Sequence, residues 1–132
     1  MNDEQLMVRE LHERFGLPHN DRPTWPGEVA HRLRVLHIEE ELAELRNAGE
    51  VRNLVGIADA LGDLLCVVYG AAVTYGIDLE PVFQEIHRSN MSKGDPQVVR
   101  RPDGKILKGE RYSPPRIDEV LAAQLERTAV PV

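Results

Sequence analysis

From Leu61 to Tyr75 the chain is apolar on nearly every side of a helix, and the same helical pattern begins upstream near Val51. A helix with apolar residues all round has to be buried, so the rest of the chain is expected to surround this one. Gly76 closes it. Its longest continuous apolar run, Leu64 to Val73, is far short of the roughly 18 residues a membrane span needs. The segment therefore reads as the central helix of a bundle. Two charges, Asp59 and Asp63, interrupt its N-terminal half.

The remaining punctuation is also helical. A first helix is predicted from about Asn2 to Arg14, with Leu6 and Leu11 facing inward, ended by Gly16 and Pro18. A polar, proline-containing loop follows to Trp25. A second helix starts near Pro26 and runs to about Ala48, with Gly49 as its stop. Val35, Ile38, Leu42 and Leu45 form its apolar stripe at 3, 4, 3 spacing. Asp78 caps a fourth helix through about Asn90, packed through Leu79, Val82, Phe83 and Ile86. After a basic, glycine- and proline-containing loop from Ser92 to Tyr112, Pro114 and Pro115 open a short last helix with Ile117, Val120, Leu121 and Leu125 as a docking face. The fold class is all-α, an antiparallel bundle of four to five helices in a single domain over residues 1–132.

Composition narrows the function. The 132 residues are 42% apolar and 29% charged, with a formal net charge of −6, which suits one globular domain with a core of its own. The single cysteine, Cys66, excludes internal disulfides, thiolate zinc sites and paired-cysteine redox chemistry, and reads as a packing residue. Negative net charge argues against DNA or RNA as a partner. Without signal-peptide organisation or a long apolar run, the chain is expected to be cytoplasmic and free of the membrane.

The acids carry the chemistry. On a helix advancing 100° per residue, Glu41 and Glu44 lie about 60° apart, and Asp59 and Asp63 about 40° apart. Helices two and three joined by a short link pack antiparallel, so the two pairs converge, with Glu40 close by. Glu39, Glu40 and Glu41 alone read as a solvated face, but an acid at Asp63, beside Leu64 and Leu65, needs a partner. Two like charges 4 Å apart repel by about 4 kcal/mol at an effective dielectric of 20. Protonation, pairing with lysine or arginine, or a hard cation such as Mg²⁺ or Mn²⁺ each answers that repulsion.

Glu40-Glu41-Leu-Ala-Glu44, followed by Asp59-Ala-Leu-Gly-Asp63, resembles the EExxE…ExxD signature of the MazG-like, all-α nucleoside triphosphate pyrophosphohydrolases. That superfamily also contains dimeric dUTPases and phosphoribosyl-ATP pyrophosphohydrolases. The likeness extends through Asp63–Gly70, the segment Val82–Lys93 and Asp103–Ile117. It implies Glu41, Glu44 and Asp63 as Mg²⁺ ligands and Glu40 as an outer ligand or water-orienting base. The family's second motif puts a glutamate where this chain has Ala60, and Asp59 stands one place earlier as the substitute ligand. The resemblance implies hydrolysis between the α- and β-phosphates, giving a nucleoside monophosphate and pyrophosphate.

It also implies that Asn90 and Lys93, three residues apart, contact the substrate's phosphates; Lys105 and Lys108, in the basic loop, are weaker candidates for further cations, a solvated loop being the other reading. Trp25 and Tyr112 are aromatic candidates for stacking on a base, and His87 for a phosphate contact. Glu28 and His31 have the spacing of di-iron bundles but lack the second copy such a site requires. A dimer or tetramer is expected, since the apolar third helix has more surface than short neighbours cover. Two alternatives remain: a phosphoribosyl-ATP pyrophosphohydrolase activity, or a non-catalytic interaction module on the same scaffold, motivated by Ala60.

Overall fold

The structure, a computed structural model, describes residues 1–129. Among the described residues there are five α-helices and no strand: α1 (Asp3–Arg14), α2 (Glu28–Glu50), α3 (Leu54–Tyr75), α4 (Leu79–Met91) and α5 (Ile117–Ala129). The expected all-α fold is what the chain adopts. The capping residues follow local chemistry, with the side chains of Asn2, Asn53 and Asp78 accepting from backbone N–H groups of the first turns of α1, α3 and α4. The link after α2 differs from expectation. Gly49 lies inside the helix, which continues to Glu50, and the reversal is made by Arg52 at φ 53°.

α3 is the hub against which α1 and α2 pack. Residue pairs across α2 and α3 run antiparallel: His31 bonds Tyr75, Arg34 lies over Gly70, Glu41 meets Asp63 and Ala48 approaches Gly56. The stripe that α2 turns toward α3 is thus His31, Arg34, Ile38, Glu41, Leu45 and Ala48, at helical spacing. Val35 and Leu42, expected in that stripe, sit on its flank and are exposed. Ile38 and Leu45 stay in the seam, and His31, Arg34 and Glu41 enter it beside them because they meet Tyr75, Gly70 and Asp63 of α3.

On α1 the inward face is Gln5, Val8 and His12 rather than Leu6 and Leu11, which are exposed. The Gln5 amide explains the choice. Its Nε2 donates to Ile77 O (2.7 Å) and its Oε1 accepts from Leu79 N (3.0 Å), while Gln124 of α5 accepts from Asp78 N and donates to Asp78 O, both at 2.9 Å. Two buried amides therefore satisfy the backbone of the α3–α4 turn, where free N–H and C=O groups are costly.

That turn depends on Gly76, at φ 70°, where an added Cβ would lie 2.1 Å from the Arg22 carbonyl oxygen. The obstacle is backbone on both sides. Gly76→Ala is expected to cost about 2 kcal/mol or more and to lower the thermal midpoint by about 5–10 °C; an unchanged melting curve would contradict this packing.

α4 packs against α5 and diverges from α3. The two leave a cleft of about 460 Å³ lined by Leu65, Val68, Tyr69, Leu79, Val82, Phe83 and Ile86. α3 is consequently covered on one side only: Leu61, Leu65 and Cys66 are exposed, against the expectation of a fully buried helix and a packed cysteine. By length and hydropathy α3 is also sufficient to cross a bilayer. Four neighbours of this length cannot enclose α3 once α4 and α5 pair with each other.

Candidate metal centre and active site

Near the middle of the α2–α3 seam three carboxylates converge. Glu41, Glu44 and Asp63 each offer one oxygen, and these oxygens lie within 4.8 Å of one another. Glu41 and Glu44 come from successive turns of α2, and Asp63 from the facing turn of α3. None of the ion pairs among the described residues involves any of them, so arginine or lysine pairing does not answer their repulsion. Glu41 Oε2 is enclosed and has no hydrogen-bond partner. Burial, then the contact with Glu44, then the charges of Glu44, Asp63 and Glu40 push the Glu41 carboxyl above the usual carboxylate range. An enclosed, partnerless carboxylate oxygen facing two other acids is a donor set suited to a hard divalent cation.

The other acids are placed differently. Asp59 is exposed and is not among the converging oxygens, while Ala60, one residue on, is 2% exposed against α2. The position turned toward the seam thus carries a methyl group, and the neighbouring acid faces outward. Glu40 is exposed beside the trio.

Asn90, Lys93 and Lys105 come together at one cleft of about 470 Å³, completed by Met91, Gly94, Val98 and Ile106. α4 presents Asn90, and the 3-10 turn after it presents Lys93. Lys105 is carried by a folded-back loop in which Arg100 pairs with Ile106 and Gly109 N donates to Lys93 O at 2.9 Å. No acid lines this cleft. Lys108 lies over the Tyr112 ring, 4.9 Å from its centre, and His87 is exposed. Trp25 packs on His31 and Tyr75, with ring centres 5.0 and 6.4 Å away, yet stays 59% exposed.

The sequence reading passed over Arg34 and His12, both buried. The signal was present for Arg34, which lies seven residues before Glu41 and so on the same helix face.

Fold and site together define a class: all-helical proteins with a carboxylate cluster between two antiparallel helices. The family model for phosphoribosyl-ATP pyrophosphohydrolase matches residues 8–90, well over half of the chain, and takes in the whole carboxylate cluster. The chain belongs to that family, in keeping with its MazG-like motifs. An uncharacterized protein of Acanthamoeba polyphaga mimivirus is 47% identical over 49 residues, 37% of this chain. The matched stretch spans 20% of that protein's length.

Proposed function

We propose that the protein is a Mg²⁺-dependent nucleotide pyrophosphohydrolase that cleaves a (deoxy)nucleoside triphosphate between its α- and β-phosphates and serves nucleotide-pool house-cleaning in the cytoplasm. The observation that carries this reading is the convergence of Glu41, Glu44 and Asp63 with one enclosed oxygen left unpartnered. When bound, a divalent ion neutralises phosphate oxygens and favours a nucleophilic water. Glu41, Glu44 and Asp63 would hold one such ion, Mg²⁺ or Mn²⁺. Glu40, beside the trio, orients the water and takes its proton as the water oxygen bonds to the α-phosphorus and the bond to the β-phosphate oxygen breaks. Asn90, Lys93 and Lys105 supply donors to the polyphosphate. No residue needs to become covalently modified.

The family match supports a second substrate, phosphoribosyl-ATP, whose scissile bond has the same chemistry. Incubation with a nucleotide panel and Mg²⁺ is expected to release pyrophosphate and a monophosphate. Orthophosphate as the sole inorganic product contradicts the assigned bond, and inertness toward every member, phosphoribosyl-ATP included, favours the interaction-module alternative.

The active form is a self-associated one, a dimer or tetramer, with a second copy covering the apolar cleft between α3 and α4. The acids that α3 carries beside its seam with α2 support a protein partner over lipid as the cover. Nucleic acid has no role in this reading.

A further inference from the structure

The carboxylate centre does not account for Arg34, two turns away on the same face of α2. Arg34 is 6% exposed and forms no hydrogen bond or ion pair with any described residue. Burial pulls its guanidinium below the ordinary arginine range, with no acid offsetting the effect. Charges buried this deeply are ordinarily paired. Its nitrogens are nevertheless not sealed, because among the described residues Glu41 Oε2 is the enclosed side-chain atom left without a partner. The guanidinium therefore keeps an opening to solvent.

Two neighbours shape that opening. A Cβ at Gly70 would lie 3.3 Å from Arg34 Nη1 and 3.2 Å from His12 Nε2, so both nitrogens converge on the space the glycine leaves. His12 is 2% exposed and is oriented by its other nitrogen, Nδ1, which donates to the Pro18 carbonyl at 2.9 Å. That bond leaves Nε2 directed at the same space, as an acceptor in the neutral ring and a donor once protonated.

We propose that Arg34 and His12, converging over Gly70, form a buried subsite for a phosphoryl oxyanion. A guanidinium fork matches two phosphate oxygens; burial and the Arg34 charge hold the His12 imidazole below its ordinary range, so Nε2 donates to a third oxygen only where the bound anion's charge restores its proton. Seven residues separate Arg34 from Glu41 on α2 and Gly70 from Asp63 on α3, about 10.5 Å along each axis. Subsite and trio thus stand two turns apart on the same pair of helices, with Ile38 between them. The subsite's role toward substrate rests on the pyrophosphohydrolase reading; its affinity for a phosphoryl anion does not.

The test is thermal unfolding of the full chain in EDTA with inorganic pyrophosphate, ionic strength being held constant with sodium chloride. Pyrophosphate is expected to raise the midpoint of the wild type and equally that of Asp63→Asn, since neither metal nor turnover is involved. Arg34→Met, which replaces an unpaired buried cation by an apolar chain and is expected to fold, should weaken the apparent affinity at least tenfold. Gly70→Ala, which fills the space while keeping both nitrogens, should do the same, and Arg34→Lys should recover part of the response. No response in the wild type, or a wild-type response in folded Arg34→Met, overturns the subsite. A wild-type response lost on Arg34→Met sustains it even in a protein that hydrolyses no nucleotide, so the two readings fail separately.

Discussion

Asp63→Asn and Glu44→Gln are each expected to lower kcat by roughly a thousandfold or more while leaving helical content unchanged. A metal-held phosphate draws several kcal/mol of transition-state stabilisation from the ion, and each 1.36 kcal/mol is about a tenfold change in rate. Both substitutions keep size and shape but remove a charge from the trio. In the metal-free protein the same change relieves repulsion that Glu41, already held above the usual carboxylate range by burial and by Glu44, registers directly. Stability and activity should therefore part company, with thermal midpoints in EDTA equal to or above the wild type. Steady-state kinetics beside circular dichroism checks both halves. A variant with wild-type turnover removes its residue from the metal site, and one that unfolds shows the acid to be structural.

Leu65→Asp and Phe83→Asp are each expected to abolish the self-association proposed above and to lower the thermal midpoint by about 10 °C or more. Leu65 is 57% exposed and Phe83 73%, on opposite walls of the cleft between α3 and α4. Burying each such side chain contributes about 1.5–3 kcal/mol, a symmetric interface counts it twice, and a change of this size moves the midpoint by several degrees per kcal/mol. Sedimentation should show wild-type midpoints rising with protein concentration, as for any fold completed by association. A monodisperse wild-type monomer, or variants indistinguishable from it in size and melting, leaves the cleft without a second copy.

These two outcomes bear on different parts of the chain because the sequence disclosed them unequally. Helix order, the cap at Asp78 and the stop at Gly76 follow from local chemistry, and local chemistry is what a sequence displays; the third helix, expected from about Val51, starts instead at Leu54 behind its cap Asn53. The carboxylate trio was legible for a related reason: an acid such as Asp63 among leucines and valines advertises that something nonlocal compensates it. Which face of α2 meets α3 was not legible. Of the expected Val35, Ile38, Leu42 and Leu45, the face turned to α3 keeps Ile38 and Leu45, while Ala60, Gly70 and Asp63 on the opposing helix bring in His31, Arg34 and Glu41 and leave Val35 and Leu42 outside. Periodicity ranks the faces of one helix, whereas packing is decided between two.

The inward side of α1 escaped for the same reason. Gln5 is buried because Ile77 and Leu79, more than seventy residues away, need a donor and an acceptor. Asp59 shows how fine the margin is: one residue of helix is about 100° of rotation, enough to leave this acid exposed while buried Ala60 takes the place on the seam.

The central claim is that Glu41, Glu44 and Asp63 together hold a divalent cation. Titrating the nucleotide-free protein with Mn²⁺ and following free ion by electron paramagnetic resonance tests it without reference to substrate. About one ion per chain is expected to bind, displaced by Mg²⁺ and lost in Glu44→Gln and Asp63→Asn. Absence of binding to the wild type, or binding that survives both substitutions, would contradict the account.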